Sequence, residues 1–209
     1  MSTTIDRRFF LKASAVGAVG LYIGCDGGGA IHPLDSGVIT GSPEGQGLVT
    51  WLKVFPDNSV SIAMHKAEMG QGVHTSLPLI VAEEMDLSVD QIKVEIVAEL
   101  GDFSTGGFLP FTYGSTSVRN AYTPFRKVGA AARSVLVQAA AETWGLPVSD
   151  ITTENGLCIS PDGDELTYGE LAELAGTLPP PEDPELKDPE NFKLIGVDQQ
   201  RFIDHEIVE

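Results

Sequence analysis

The stretch A-E-E-M-D-L-S-V-D-Q-I-K-V-E (residues 82–95) recurs 59 positions later as A-E-T-W-G-L-P-V-S-D-I-T-T-E (residues 141–154). Six of the fourteen positions are identical, and each of the six is apolar or acidic. In each copy, an apolar pattern of helical period ends, a tight turn follows and a β-like stretch begins. The sequence therefore predicts two equivalent helix–turn–strand units and an α+β fold, in which helices pack on a mixed sheet.

The segments around this repeat predict further helices and strands. A Pro-Asp-Asn-Ser turn at 56–59 joins two β-like stretches, which is typical of a hairpin. Pro124 lies inside the longest helical pattern and is expected to kink or restart that helix. A second turn is expected at Asn155-Gly156. The predicted strands are 48–55, 60–65, 92–98, 151–153 and 157–160, and the predicted helices are 73–85, 114–144 and 168–175.

Composition excludes three functional classes. The 209 residues include 13 basic and 30 acidic side chains, which give a net charge of −17 and argue against binding to nucleic acid or to an anionic membrane surface. No apolar run approaches the roughly 20 residues that span a bilayer. Two cysteines and four scattered histidines exclude a disulfide framework and an evident zinc site.

The first residues of the chain carry an export pattern. D-R-R-F-F-L-K (residues 6–12) precedes an uncharged stretch rich in Ala, Gly and Val, which is typical of a twin-arginine signal. The alternative is a basic first turn of a buried helix, which Gly17, Gly20 and Gly24 disfavour. Cys25 is either a lipid-anchored cysteine or part of a simple cleavage region. The sequence predicts a periplasmic protein, with Cys25 or a partner as its candidate membrane attachment.

The chain divides into four predicted segments. Glycine and proline content marks the linkers, and the central segment contains the repeat. A long glycine-containing loop is expected at 99–113. The segments are a signal peptide at 1–25, a linker at 26–47, a domain at 48–176 and an acidic, proline-rich linker at 177–209.

The first candidate site is E-M-G-Q-G-V-H-T (residues 68–75). Gly70 and Gly72 would let the backbone approach a ligand, and Gln71 both donates and accepts hydrogen bonds. The helix that follows offers unpaired N–H groups and the positive end of its dipole, which suit an anion. The alternative is a glycine-rich turn that only connects a strand to a helix.

The second candidate site is Y-G-S-T-S-V-R (residues 113–119). The hydroxyls of Ser115, Thr116 and Ser117 lie at a predicted helix start, where they would either cap the helix or bind phosphate together with its N–H groups. Arg119 would add positive charge. Two anion-suited helix starts in one domain favour an anionic ligand.

Other reactive side chains form no catalytic set. Glu68 is a candidate acid–base group without a partner carboxylate. His74 is expected to be structural, and Cys158 is expected to be a small buried residue in a strand. No cluster of His, Cys, Asp or Glu has the spacing of a metal site. The sequence therefore predicts a binding site for an anionic cofactor.

The two motifs together resemble the molybdenum hydroxylases of the xanthine dehydrogenase class, in particular the large, molybdopterin-binding subunits of isoquinoline 1-oxidoreductases and membrane-associated aldehyde dehydrogenases. The resemblance covers most of the chain. Besides the two motifs and the export pattern, it includes R-K-V-G-A-A-A-R (126–133), T-E-N-G (153–156), L-T-Y-G-E-L-A (166–172) and L-K-D-P-E-N-F-K-L-I-G (186–196).

The resemblance implies a molybdenum–molybdopterin cofactor, usually a cytosine dinucleotide in bacteria, within a larger molybdopterin-binding fold. It also implies hydroxylation of an aldehyde or N-heterocycle with oxygen from water. The electrons would pass to a separate [2Fe-2S] subunit and, in some members, to a cytochrome c. The residues implied for cofactor binding are Gly70, Gln71, Gly72 and Thr75 near the metal end, and Gly114, Ser115, Thr116 and Ser117 around the phosphate.

The chain departs from this class in its length. The class has an essential glutamate in a Gly-Val-Gly-Glu stretch near the C-terminus, and this sequence contains no such stretch. We therefore expect an N-terminal portion that needs the remaining C-terminal part of the large subunit and does not turn over substrate alone. The alternatives are an exported, non-catalytic module that binds an anion or nucleotide, and an inactive truncated remnant.

Overall fold

A computed structural model describes residues 21–25, 31–33, 49–64, 66–96 and 112–202. The twin-arginine motif, most of the predicted linker at 26–47, nearly all of the predicted loop at 99–113 and the residues after 202 lie outside this description.

The larger sheet contains the strands β1 (Leu21–Cys25), β2 (Ile31–Pro33), β3 (Val49–Val54), β4 (Val60–Met64) and β5 (Ile92–Ile96). Their order is β2-β1-β3-β4-β5, with β5 parallel to β4 and every other pair antiparallel. The predicted hairpin is confirmed by β3 and β4, whose turn is closed by the Asn58 N–H donating to the Phe55 carbonyl. The strands β1 and β2 belong to this sheet, although they lie within the stretches that the sequence assigned to the signal peptide and the first linker. The boundaries of those two segments stay predictions.

The helices in the described residues are α1 (Val73–Glu84), α2 (Ser117–Trp144) and α3 (Tyr168–Ala175), and all were predicted. Because β5 runs parallel to β4, α1 must cross over the sheet between them. α2 packs along α1 and continues without a break through Pro124, so the expected restart is wrong. Pro124 removes one hydrogen bond in the second turn, and the buried face containing Ala121 and Phe125 keeps the helix continuous.

The internal repeat is confirmed by matching turn geometry in its two copies. The Leu87 N–H donates to the Ala82 carbonyl at 3.0 Å, and the Leu146 N–H donates to the Ala141 carbonyl at 3.0 Å. The residue before each leucine is left-handed, with φ of 53° at Asp86 and 67° at Gly145. Each copy then forms a short 3-10 helix before its strand, at Val89–Gln91 and Val148–Asp150.

The strand of the second copy lies in a separate sheet, which corrects the expectation of one mixed sheet for both copies. This sheet is antiparallel, in the order β6 (Thr152–Glu154), β7 (Leu157–Ile159) and β8 (Glu165–Thr167). The reason is the turn at Asn155 and Gly156, where φ is 48° and 71°, because it folds β6 directly back onto β7.

The core lies where α1 contacts both the larger sheet and α2. Tyr168 at the start of α3 is fully buried, and its hydroxyl donates to the Met85 carbonyl at 2.8 Å. Cys158 is buried as predicted, and its burial raises the pKa of the thiol to about 12. The repeat, the two sheets and all three helices therefore share one apolar interior.

Candidate functional site

The residues that directly precede the two predicted motifs meet in space. The Ala67 N–H donates to Oγ1 of Thr112 at 3.0 Å, and Oγ1 of Thr112 donates to the Ala67 carbonyl at 3.2 Å. We name residues 66–72 loop A and residues 112–116 loop B. This pair of bonds fixes the start of loop A against the start of loop B, across 45 residues of sequence. Loop A, which leads into α1, and loop B, which leads into α2, therefore lie side by side at this point.

Glu68 organises loop A from within. Its carboxylate accepts the N–H groups of Gly70 at 2.8 Å, Gly72 at 2.9 Å and His74 at 3.1 Å. Gly70 and Gly72 have φ of 96° and 79°, a conformation that favours glycine. The anion site predicted at the start of α1 is thus filled by the chain's own carboxylate.

The same contacts determine the charge of Glu68. Partial burial by itself raises the pKa of the carboxyl, but the N–H groups of Gly72, His74 and Gly70 outweigh burial and hold the pKa below its usual range. Glu68 is therefore a carboxylate at neutral pH, and its oxygens are occupied by the backbone N–H groups that it supports.

Gln71 and His74 also hold loop A. The Gln71 side-chain oxygen accepts the Met69 N–H, and its amide nitrogen donates to the Ala67 carbonyl at 2.9 Å. His74 is buried, with Nε2 2.7 Å from the Lys66 carbonyl oxygen and Nδ1 without a hydrogen-bond partner. The Nε2 contact makes His74 structural, as predicted.

The predicted residues of loop A differ in accessibility. A Cβ placed on Gly70 or on Gly72 would meet no atom within 4 Å, so both faces are open to a ligand. Thr75 is buried, and its Oγ1 accepts the Phe202 N–H at 3.1 Å. Gly70 to Gly72 therefore line the open side of the loop, whereas Thr75 lies beneath residues 201–202.

Loop B leaves the start of α2 uncapped. Thr116 occupies the cap position, but its hydroxyl donates to the Tyr113 carbonyl at 2.8 Å, no side chain caps the helix and no acidic residue lies in its first turn. Capping, the alternative left open by the sequence, is therefore not what the hydroxyls do here. N–H groups at such a helix start suit an anion.

Loop B also contains a strained backbone conformation. Gly114 and Ser115 are both left-handed, with φ of 58° and 54°. A non-glycine residue in this conformation costs on the order of 1 kcal/mol or more, and such costs concentrate at ligand-binding sites. Ser115 is exposed, so no packing of its side chain compensates.

Three contributors to the site were not anticipated from the sequence. Thr112 lies just before the second motif, and nothing local marks it as the residue that joins the loops. Arg201 and Phe202 reach loop A and α1 from more than 120 residues away. The structural role of Glu68 did have a local signal, because its spacing of two and four residues from the glycines brings their N–H groups within reach.

We expect Glu68→Ala to loosen loop A and to lower the free energy of unfolding by about 1–3 kcal/mol, because three N–H groups lose their acceptor. Amide hydrogen exchange at Gly70, Gly72 and His74 should accelerate. Since the folded pKa of Glu68 is lowered, the protection should be complete above pH about 4.5 and be lost as the pH falls through the folded pKa.

The control for this change is Glu182→Ala, which removes an exposed carboxylate outside the loops. Its exchange pattern in residues 66–76 should match that of the unchanged protein. Equal exchange at Gly70 and Gly72 in the Glu68 and Glu182 variants would contradict the role of Glu68.

Two further types of site have no support within the described ranges. No group of three or more His, Cys, Asp or Glu side chains there is placed to hold a metal ion. None of the helices in that part of the chain is both long and apolar enough to cross a membrane.

The sequence matches a family profile described as "Molybdopterin cofactor-binding domain" over residues 19–205. The match includes loop A, loop B and all described helices.

Individual relatives were found among curated proteins. The beta subunit of isoquinoline 1-oxidoreductase from Brevundimonas diminuta is 37% identical over 126 residues, which are 58% of this chain and 16% of that protein. A nicotinate dehydrogenase subunit of Pseudomonas putida is 33% identical over 71% of this chain and 12% of that protein. A membrane-bound aldehyde dehydrogenase of Gluconacetobacter polyoxogenes is 28% identical over 80% of this chain and 21% of that protein. The chain thus spans about an eighth to a fifth of the length of these relatives.

Proposed function

Because the chain belongs to the molybdopterin cofactor-binding domain family, we propose that it forms part of the cofactor site in the large subunit of an exported molybdenum-dependent oxidoreductase. Loops A and B would hold a molybdopterin cytosine dinucleotide between them. The observation that carries this proposal is the Thr112–Ala67 contact, which brings an open glycine backbone and an uncapped helix start to one place.

The residues present fit such a cofactor in two respects. The open faces of Gly70 and Gly72 leave room for a ring system to lie against the backbone. The uncapped start of α2 provides N–H groups without a competing carboxylate, which suits a dinucleotide phosphate. Because Glu68 already fills the start of α1, the phosphate is assigned to loop B.

The predicted residues then fall into groups with different roles in binding the cofactor. Gly70, Gln71 and Gly72 contact the cofactor near its metal end, and Thr75 supports them from beneath. At the other end, the phosphate is bound by loop B and the first turn of α2. The residues in that group are Gly114, Ser115, Thr116 and Ser117.

The bound cofactor would supply the two-electron chemistry by which an aldehyde or N-heterocycle gains an oxygen atom from water. The isoquinoline and nicotinate relatives are named for N-heterocycles and the third relative for an aldehyde, which supports these substrate classes. Two electrons and two protons leave for each oxygen inserted. The electrons would pass to a [2Fe-2S] partner subunit and then to a cytochrome c. The base would come from the C-terminal part of the large subunit, because this chain contains no Gly-Val-Gly-Glu stretch.

The export pattern around Arg7 and Arg8 supports folding and cofactor insertion in the cytoplasm before transport to the periplasm. Cys25 or the partner subunits would attach the assembled enzyme to the membrane.

The proposal is tested by co-expressing the large subunit with its iron–sulfur partner and purifying it from the periplasmic fraction. Molybdenum is measured by mass spectrometry, and CMP is measured after acid hydrolysis. We expect both in equal amounts. We also expect Ser117→Glu to reduce both by about tenfold or more, because a carboxylate at the phosphate position repels the phosphate.

Two controls sharpen this experiment. Ser134→Glu places the same charge on an exposed position of α2 and should leave the cofactor content unchanged. Lysine at both Arg7 and Arg8 should retain the protein, with its cofactor, in the cytoplasm. A folded complex that contains neither molybdenum nor CMP would rule the proposal out.

A further inference from the structure

Residues 187–202 lie along α1 and are held first at the C-terminal end of that helix. The Glu83 carboxylate accepts the N–H groups of Lys193 at 2.9 Å, Leu194 at 2.6 Å and Ile195 at 3.0 Å. Glu84 accepts the Lys187 N–H at 2.9 Å. Both carboxylates are at most 1% exposed, so these contacts are shielded from water and anchor the segment firmly.

Charged side chains strengthen this anchor. The Lys187 ammonium is bonded to both Glu83 and Asp86, and the Arg126 guanidinium is bonded to Glu84 and to the Lys187 carbonyl. Arg126 also lies 5.1 Å from the centre of the Phe192 ring. Each buried carboxylate therefore has a cation and at least one backbone N–H group as partners, which is the condition for a stable buried ion pair.

The same segment reaches the opposite end of α1. The Phe202 N–H donates to Oγ1 of Thr75 at 3.1 Å, and Nη2 of Arg201 donates to the Gly70 carbonyl at 2.8 Å. The Arg201 contact complements those within loop A, because Glu68 holds the Gly70 N–H and Arg201 holds the Gly70 carbonyl.

The distances are compatible with one continuous connection. Eight helical steps from Thr75 to Glu83 cover about 12 Å, whereas seven residues from Ile195 to Phe202 can span up to about 25 Å. The segment can therefore run beside α1, antiparallel to it, without being stretched.

We propose that residues 187–202 form a strap that sets the conformation of loop A, with Arg201 as the residue that positions Gly70. The buried carboxylates Glu83 and Glu84 fix one end of the strap, and Arg201 transfers that constraint to the open side of the loop. That loop A binds a cofactor rests on the proposed function, whereas the effect of the strap on the conformation of loop A is argued from the contacts alone.

The experiment measures amide hydrogen exchange on the 209-residue chain and on its Arg201→Ala variant. Exchange in residues 66–76 should accelerate about fivefold in the variant, the effect of losing one hydrogen bond to a charged donor at an exposed position. Arg201→Lys keeps a donor and should restore most of the protection. The midpoint of thermal unfolding should fall by no more than about 4 °C, because the lost contact is a single exposed hydrogen bond.

The matched control is Lys127→Ala, which removes an exposed cation whose partner is Asp183, away from loop A. It should leave exchange in residues 66–76 unchanged. Unchanged exchange at loop A in Arg201→Ala, or equal acceleration over the whole chain, would overturn the inference.

A second readout separates this inference from the proposed function. In the assembled complex, Arg201→Ala should release molybdenum and CMP faster during dialysis than Lys127→Ala does. If the unchanged complex contains no cofactor but Arg201→Ala still accelerates exchange at loop A, the proposed function fails and the strap stands. If the cofactor is present and Arg201→Ala alters neither exchange nor release, the strap fails and the proposed function stands.

Discussion

Glu83→Gln is expected to lower the free energy of unfolding by about 3 kcal/mol, because it breaks a buried ion pair while leaving its partner in place. Glu83 accepts the Lys187 ammonium at 2.8 Å and three backbone N–H groups of the strap. Glutamine has one acceptor oxygen and would direct its NH₂ group at a second set of donors. Chemical denaturation monitored by circular dichroism measures the change.

The pH dependence of stability gives a second measure of Glu83. Burial by itself raises the pKa of this carboxyl, but the Lys187 ammonium and the N–H groups of Ile195, Leu194 and Lys193 outweigh burial and hold the pKa below its usual range. A lowered folded pKa means that the stabilisation is present above pH about 4.5 and is lost as the pH falls through the folded value. In the Glu83→Gln variant, the free energy of unfolding should therefore fall less steeply as the pH is lowered below about 4.5.

Glu154→Gln is the matched control for this change. Glu154 is 55% exposed and pairs with Lys193, another lysine of the strap, at 3.2 Å. Exposed pairs contribute about 0.5 kcal/mol or less, so the same substitution should have little effect there. Similar losses in the Glu83 and Glu154 variants would show that the anchor of the strap is not buried as described.

Gly129→Val is expected to destabilise the chain by about 3 kcal/mol, because α1 and α2 are in close contact at this glycine. A Cβ at Gly129 would lie 2.6 Å from the Val81 carbonyl oxygen and 2.8 Å from Cβ of Glu84. The first contact is with backbone, so the helices must move apart. For a chain of this size, that loss corresponds to a fall of about 10 °C in the midpoint of thermal unfolding.

Ser134→Val tests whether this loss comes from packing. Ser134 is exposed on α2, and serine and valine have similar helix propensities, so the change should stay within about 0.5 kcal/mol. Because valine is a better helix former than glycine, Gly129→Val would be neutral or stabilising if the helices did not touch there. A midpoint equal to that of Ser134→Val would disprove the close approach.

The local sequence pattern was sufficient to predict most of the secondary structure. The repeat at 82–95 and 141–154 predicted two turns that prove equivalent down to the hydrogen bonds of Leu87 and Leu146. The pattern did not predict that β5 and β6 would lie in different sheets. Strand pairing depends on which neighbours the chain brings close, and the turn at Asn155 and Gly156 provides β6 with a partner within three residues.

From the residues alone, the candidate site was predicted as two separate motifs, and only the resemblance implied that both bind one cofactor. Each motif is a local signal, because glycines or hydroxyl side chains next to a helix start indicate a candidate binding loop without reference to distant residues. Their meeting depends on Thr112, whose hydroxyl pairs with the backbone of Ala67, and no local pattern encodes that contact. The residue pattern alone did not distinguish the two helix starts, whereas in the structure Glu68 occupies the start of α1 and no side chain caps the start of α2.

The sequence by itself therefore determined the helices, the hairpin, the repeated turn and the family to which the chain belongs, because each depends on residues that are near one another or on an ordered set of motifs. Only the tertiary structure decided that the start of loop A contacts the start of loop B and that residues 187–202 run along α1 to reach Gly70. The physical reason is that these contacts join groups 45 to 131 residues apart. Such contacts depend on how the apolar faces of α1, α2 and the larger sheet pack, since this packing fixes where each loop lies.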